Sequence, residues 1–275
     1  MIVETKVPKI TSLGDACCGC GACEAKCPKS CIEMKHDKYG FSRPVVDLGE
    51  CTGCSGCDGV CPSLGRGLKD EAKEVLWAKS NDTAERMNSS SGGVFALLAH
   101  RVLLSGGVVC GAAWDEGCKR VHHVLVDSEE KLDSVLRSKY VQSLIGREVY
   151  QGVREALREG KRVLFAGTAC QVAGVRAFLG KLANSDDLLT VDIICHGVPS
   201  PLLWSKWAAY REERIGAALH FVNMRSKTTS WLSYSSLYKY IEEKDNSVLA
   251  DGSVFNKDWY MKAFLANASL RPSCF

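Results

Sequence analysis

Two copies of one cysteine pattern are the feature of this chain that could do chemistry. The first copy, C-x2-C-x2-C-x3-C-P, contains Cys17, Cys20, Cys23 and Cys27. The second contains Cys51, Cys54, Cys57 and Cys61. In this pattern three closely spaced thiolates bind one iron-sulfur cubane, while the fourth reaches the other cubane. The duplicated spacing therefore predicts two 4Fe-4S clusters with crossed ligand sets.

One cluster is expected to be bound by Cys17, Cys20, Cys23 and Cys61. The other is expected to be bound by Cys51, Cys54, Cys57 and Cys27. Two structural zinc sites are the alternative, but zinc knuckles pair their cysteines two and two, without a trailing proline. Cys18 and Cys31 lie outside the pattern, and we interpret them as spare thiols packed near the clusters.

Composition limits where this chemistry takes place. The chain has 275 residues, 15 of them cysteine, and a formal net charge of +3 with no basic stripe, so charge gives no indication of nucleic-acid binding. The start of the chain lacks the apolar core of a signal peptide, and the most apolar stretch is interrupted by His100, Arg101 and two glycines. We expect a cytoplasmic protein without a membrane span. Because disulfides are disfavoured there, the cysteines indicate metal or redox chemistry.

The elements that must position this chemistry change character near residue 70. We predict a ferredoxin-type double 4Fe-4S domain over residues 1–70, with a hairpin that turns at Tyr39-Gly40. Residues 71–275 alternate between strand and helix patterns, which predicts an α/β domain with a mostly parallel or mixed sheet. Helices are predicted to begin after Thr168 and after Ser200, and a late hairpin to turn near Asp251-Gly252.

The predicted strand, helix and turn boundaries leave several loops to consider. The residues Ser89 to Gly93 precede a helix, which could bind phosphate or could be an ordinary helix start. Cys170 and Cys195 follow two buried strands at the sheet edge where ligands bind. They could be metal ligands, a nucleophile with His196 as base, or small buried hydrophobic residues. Neither a dinucleotide-binding glycine motif nor a P-loop motif occurs.

The segments SSSGGVFALLA, SKYVQS, GTACQVAG, VDIICHGVPSP and FLANASLRPSC follow the cysteine motifs in that order. Together they resemble the coenzyme F420 hydrogenase/dehydrogenase beta-subunit family, from about residue 15 to the end of the chain. The resemblance implies FAD and 4Fe-4S clusters, with electrons moving between iron-sulfur centres and an organic substrate that exchanges hydride. In the archaeal members for which the family is named, that substrate is the deazaflavin F420.

The resemblance also implies roles for particular residues. The helix start at Ser91, Gly92 and Gly93 corresponds to the flavin pyrophosphate site, and Lys139 and Tyr140 to a segment beside the flavin. Cys170, Cys195 and Cys274 correspond to ligands of a possible third 4Fe-4S cluster. The fourth ligand would lie beyond Phe275, so the resemblance suggests a C-terminally truncated chain that could be inactive as a fragment. The family usually has Gly where Arg137 stands and Pro where Ala169 stands.

The combined prediction is a flavin- and iron-sulfur-dependent oxidoreductase. It would pass electrons between the clusters and FAD, for hydride transfer to or from F420 or another organic substrate, with a ferredoxin or a partner redox subunit as the electron donor or acceptor. An electron-transfer subunit without a substrate of its own, docked on a catalytic partner, is the second hypothesis. A polyferredoxin fused to an unrelated α/β domain is the third. The sequence names no catalytic acid or base.

Overall fold

The computed structural model describes residues 6–65, 72–242 and 244–274. The predicted domain boundary between residues 70 and 71 lies outside these residues. Within the described ranges, no helix is both long enough and apolar enough to cross a membrane.

The N-terminal segment contains two short helices and one hairpin. Helices α1 (Ala22–Lys26) and α2 (Gly56–Gly59) each begin inside a cysteine motif, and strands β1 (Ile32–His36) and β2 (Ser42–Val46) pair antiparallel between them. The Asp37 carboxylate accepts hydrogen bonds from the backbone N–H groups of Tyr39 and Phe41, and Gly40 has a φ of 85°. The predicted turn at Tyr39-Gly40 is confirmed.

A mixed five-stranded sheet forms the centre of the following segment, in the order β5-β4-β3-β6-β7. Its strands are β3 (Val108–Trp114), β4 (Val121–Val126), β5 (Ser143–Leu144), β6 (Val163–Thr168) and β7 (Leu188–Ile193). Strands β3 and β4 pair antiparallel, whereas the other neighbours pair parallel. The sheet is therefore mixed, because β4 returns beside β3 through a tight turn that needs no crossover helix.

Helices cover this sheet. They are α3 (Thr83–Asn88), α4 (Val94–Leu104), α5 (Glu129–Leu132), α6 (Arg147–Arg158), α7 (Ala169–Leu179), α8 (Pro201–Ile215) and α9 (Trp259–Leu265). Gln171 completes a capping box with Thr168 at the start of α7, and the Ser200 hydroxyl accepts a hydrogen bond from Leu203 N–H at the start of α8. Both predicted helix starts are confirmed. The helix predicted after β4 is shorter than its sequence pattern, since α5 gives way to a 3-10 turn that ends at Val135.

A second, antiparallel sheet has the order β10-β9-β8, with β8 (Ala218–Ser226), β9 (Ser235–Ile241) and β10 (Val248–Val254). The predicted turn at Asp251-Gly252 is wrong, because Asp251 pairs with Tyr238 in the middle of β10. The chain reverses earlier, where Asn246 adopts a φ of 56°. Asn takes this left-handed conformation more easily than most residues, so the two turn signals compete.

The N-terminal segment shares a hydrophobic core with the central sheet. Ala22 of α1 and Val60 pack in one buried cluster with Tyr150 of α6 and with Val172 and Phe178 of α7. The cysteine loops are therefore held by α6 and α7 as well as by their own hairpin.

Candidate functional site

The eight motif cysteines line two separate cavities. The inner cavity, of about 280 Å³, is lined by the thiols of Cys17, Cys20, Cys23 and Cys61. The outer cavity, of about 300 Å³, is lined by Cys27, Cys51, Cys54 and Cys57. These are the crossed ligand sets that the spacing predicts, and four thiols around one space are the donor set that a cubane requires.

Glycines let the cysteine loops come close to their neighbours. Gly21 has a φ of 80°, and a side-chain Cβ at this position would lie 2.6 Å from the Ile145 carbonyl oxygen. Gly53 has a φ of 68° and would place a Cβ 3.0 Å from Lys6 N. Only glycine adopts these conformations without strain, so both loops depend on it.

The two cavities differ in their exposure to solvent. All four thiols of the inner cavity belong to residues that are no more than 8% exposed. In the outer cavity Cys54 is exposed and Cys51 is half-buried. Burial raises the pKa of Cys57 to about 11, and the nearby Asp58 carboxylate adds to this effect. The outer cavity is thus the one that an electron donor or acceptor could approach.

Each cavity also contains a fifth thiol, which the sequence pattern did not assign. Cys31 lies in the outer cavity with its Sγ 3.4 Å from Cys27 Sγ. Burial, followed by the hydrogen bond to Cys27, raises the pKa of Cys31 to about 12, so Cys31 is the thiol that donates. Its position four residues after Cys27, one helical turn in sequence, is the signal that could have found it.

The fifth thiol of the inner cavity is Cys18. Hydrogen bonds from Cys170, and then from Cys20, lower the pKa of Cys18 below that of an ordinary thiol. Cys18 therefore lies between the inner cavity and the start of α7, and its interpretation as a spare thiol understates its contacts.

Cys170, Cys195 and Cys274 approach one another at one edge of the central sheet. Thr168 of β6 pairs with Ile193 of β7, so Cys170 and Cys195 each lie two residues beyond that pair. The chain near Leu270 runs antiparallel to Pro199, which brings Cys274 beside this edge.

The three thiols of this edge lie on the surface or close to it. Cys195 and Cys274 are exposed, and Cys170 is half-buried with its Sγ 3.3 Å from Thr168 Oγ1. Among residues 6–65, 72–242 and 244–274, no three Cys, His, Asp or Glu side chains group as ligands of a single metal ion. His196 pairs with the Asn267 side chain at 2.7 Å and not with either thiol, so the predicted nucleophile and base are not in contact.

The segments expected beside a flavin meet through one hydrogen bond. Ser138 N–H donates to Ser90 Oγ at 2.7 Å, which joins the loop before α4 to the segment of Lys139. Helix α4 begins at Gly93, whose φ is 86°, without a side-chain cap. The Lys227 ammonium donates to the Ser91 carbonyl at 2.7 Å. The first amides of α4 are thus free of side-chain acceptors, and positive charge lies nearby.

Lys139 itself has a buried ammonium group. It donates to the Leu136 carbonyl at 2.7 Å, and burial, assisted by the charge of Arg137, lowers its pKa to about 7. Arg137 has a φ of 69°, the left-handed conformation that explains why glycine suits this position. Tyr140 stacks on Phe264 with ring centroids 5.0 Å apart.

Sequence reasoning missed the side chains that hold the cysteine loops from outside. Tyr150 donates its hydroxyl to the Cys20 carbonyl at 2.7 Å, and Arg147 donates to the Cys27 carbonyl at 3.0 Å. Arg271 donates to the Cys17 carbonyl at 2.6 Å. They are more than 100 positions from their partners in the chain, so only the fold brings them together.

Two family models match the chain. Residues 16–64 match the 4Fe-4S dicluster domain, and residues 160–245 match the C terminus of the coenzyme F420 hydrogenase/dehydrogenase beta subunit. The chain belongs to the coenzyme F420 hydrogenase/dehydrogenase beta-subunit family. The second match contains Cys170 and Cys195. Membership makes the chain a redox protein with an iron-sulfur dicluster domain.

One curated member of the family is a subunit of the F(420)H(2) dehydrogenase of Methanosarcina mazei. It is 28% identical over 204 residues, which are 68% of this chain and 56% of that protein. This chain therefore spans little more than half the length of the relative.

A solved structure also matches, the F420-reducing [NiFe] hydrogenase complex of Methanosarcina barkeri, with a TM-score of 0.41 and 16% identity. The match covers 71% of this chain and 62% of that chain.

Proposed function

We propose that this protein is an iron-sulfur flavoprotein oxidoreductase that passes electrons between two 4Fe-4S clusters and FAD, for hydride transfer to or from an F420-like or other organic substrate. The observation that carries the proposal is the division of the eight motif thiols between two cavities in crossed sets of four. Membership in a redox family supports it as well.

In this proposal the outer cluster exchanges electrons with a ferredoxin or a partner redox subunit. Cys54 is exposed there, whereas the four thiols of the inner cavity are buried. Burial slows exchange between the inner cluster and solvent-borne oxidants, and Cys18 leads from the inner cavity to Cys170. Electrons would therefore pass from the surface through the outer cluster and the inner cluster toward the central sheet.

Support for flavin binding comes from the start of α4 and the residues around it. The uncapped amides of an 11-residue helix and the ammonium groups of Lys139 and Lys227 fit a pyrophosphate or an anionic ring edge. A bound flavin would supply exchange of both single electrons and hydride. The residues of this chain would hold it, with Ser91, Gly92 and Gly93 at the phosphates and Lys139 and Tyr140 beside the ring.

A third cluster in this proposal would use Cys170, Cys195 and Cys274. The approach of these three thiols at one sheet edge supports it. It would receive electrons from the inner cluster.

Anaerobic reconstitution of the chain with iron, sulfide and FAD tests the proposal. We expect two 4Fe-4S clusters per chain and a flavin absorbance that bleaches on reduction through the clusters. Clusters without flavin would favour an electron-transfer subunit with no substrate of its own, and zinc in place of iron and sulfide would overturn the proposal.

The flavin site has its own matched pair of variants. Lys139→Ala is expected to weaken flavin retention, whereas Lys131→Ala, on an exposed side chain, should leave it unchanged. Equal flavin content in the two variants would argue against Lys139 as a flavin residue. The two iron-sulfur clusters should be retained in both.

A further inference from the structure

Arg271 carries a buried positive charge without a carboxylate partner. The residue is 0% exposed, and its guanidinium donates to the Cys17 carbonyl, the Gln142 amide oxygen and the Ser42 carbonyl at 2.6 to 2.9 Å. All three acceptors are neutral. Among the ion pairs of the described residues, none includes Arg271. A buried cation is costly unless an anion lies close by, so the site calls for a negative charge.

The inner cavity is where that negative charge would be. Arg271 bonds to Cys17, a thiol of the inner cavity, and its Nη1 lies 2.7 Å from the point where a Cβ on Gly19 would stand. The guanidinium therefore touches the loop that surrounds this cavity. A cubane bound by four thiolates is an anion, and reduction adds one more negative charge. The inner cluster is thus the missing counter-ion.

The outer cavity has a weaker counterpart in Arg147. Its guanidinium donates to the Cys27 carbonyl at 3.0 Å and to the Glu24 carbonyl at 2.6 Å. Arg147 is half-buried rather than fully buried. Because water screens exposed charges more than buried ones, Arg147 acts less strongly on its cluster than Arg271 does.

Burial and charge have opposite effects on the reduction potential of a cluster. Loss of solvent disfavours the more negative reduced state and lowers the potential, whereas a nearby fixed cation favours that state and raises it. The inner cavity is more buried than the outer one, so burial by itself would make electron transfer to the inner cluster uphill.

We propose that Arg271 is a positioning residue that raises the reduction potential of the inner cluster and so allows electrons to move inward from the outer cluster. The inference rests on the proposed cluster function. Arg271 does not bind iron. Its charge acts through the Cys17 loop, and its hydrogen bonds fix the guanidinium beside that loop.

The test is a redox titration of the reconstituted full chain, in which EPR distinguishes the two clusters. Arg271→Gln is expected to lower one of the two reduction potentials and to leave the other unchanged. Arg271→Lys keeps the charge and should recover part of the shift. Arg120→Gln removes an arginine from the exposed turn after β3 and should leave both potentials unchanged.

Gln142→Glu is the variant that decides if Arg271→Gln fails to retain iron. Gln142 accepts from Arg271 at 2.9 Å, so a carboxylate there would neutralise the guanidinium without removing it. The same potential should fall. Unchanged potentials in a variant that keeps both clusters would overturn the inference, whereas a wild-type chain that binds no clusters would overturn the proposed function instead.

Discussion

Neighbouring thiols at this site have different roles although they share one chemistry. Cys27 and Cys31 lie 3.4 Å apart in the outer cavity, yet only Cys27 belongs to the crossed ligand set. The pKa of Cys31 is raised to about 12, so Cys31 keeps its proton and donates it to Cys27. A thiolate that binds iron gains from such a donor, because hydrogen bonds to the sulfur stabilise its negative charge.

Serine substitutions separate ligand from donor. We expect Cys27→Ser to lose the outer cluster, with about half of the iron, because each cubane needs its four thiolates. Cys31→Ser should keep the full iron content. Iron and acid-labile sulfide per chain are the measurements, and an equal loss in Cys31→Ser would show that Cys31 is a ligand.

Gly174 of α7 is fitted to the inner cavity. A Cβ at this position would lie 3.1 Å from Cys20 Sγ and 3.2 Å from the Tyr150 hydroxyl. Ala normally stabilises a helix by about 1 kcal/mol relative to Gly. We nevertheless expect Gly174→Ala to displace Cys20 and to impair the inner cluster selectively, as seen by EPR.

Gly59 provides the control for this substitution. It lies in α2 beside the outer cavity, and a Cβ there would meet nothing within 4 Å. Gly59→Ala should retain both clusters. If both alanine variants have wild-type spectra, then close packing of Gly174 on Cys20 is not required for the cluster.

At the scale of the elements, the central sheet is joined by one neutral histidine. His123 of β4 donates from Nε2 to the Ala166 carbonyl of β6 at 2.9 Å, and its Nδ1 accepts from the Ser143 hydroxyl of β5 at 2.7 Å. Burial lowers the pKa of His123 to about 4. Three strands thus depend on the uncharged form.

This histidine predicts a loss of stability in mild acid. The unfolded chain binds the proton near the ordinary pKa of 6.5 and the folded chain near 4, so stability falls as the pH falls between these values. The shift corresponds to about 3 kcal/mol at most. Urea unfolding followed by far-UV circular dichroism at several pH values measures the effect.

His123→Gln should flatten this pH dependence, because glutamine keeps polar atoms in the sheet but does not titrate in this range. His220→Gln, on an exposed residue of β8, is the control and should behave as the wild type. A steep acid loss that persists in His123→Gln would assign it to other groups.

At the scale of the whole molecule, distant side chains bond to the backbone of the cysteine loops. Tyr150, Arg147 and Arg271 donate to the carbonyls of Cys20, Cys27 and Cys17, three of the predicted ligands. The Ser200 hydroxyl at the start of α8 donates to the carbonyl of Tyr39 in the hairpin turn. The N-terminal segment is therefore held in place by polar contacts as well as by the shared core.

Removal of one such contact should loosen the inner cluster. Tyr150→Phe leaves the buried Cys20 carbonyl without its donor, which costs about 1 to 3 kcal/mol. We expect faster loss of cluster absorbance in urea than in the wild type. Tyr210→Phe, on a residue that is 51% exposed, should change nothing. Equal rates for the two variants would mean that the Tyr150 contact does not support the cluster.

The sequence by itself determined the features that depend on near neighbours. The cysteine spacing gives the crossed sets of four, because ligands within a short loop and the following helical turn have few possible directions. Thr168 and Ser200 mark helix starts for the same reason, since a cap acts within three residues. The two glycine-dependent cysteine loops also follow from local sequence.

Only the tertiary structure decided the features that join distant parts of the chain. Cys17 and Arg271 are 254 positions apart, and no local pattern relates them. The turn between β9 and β10 forms at Asn246 rather than at Asp251-Gly252, because Asp251 pairs with Tyr238 and forms an ion pair with Arg211 of α8. Local chemistry allowed both turns, and packing chose between them. The charges beside each cluster were likewise placed by the fold, since they act through space.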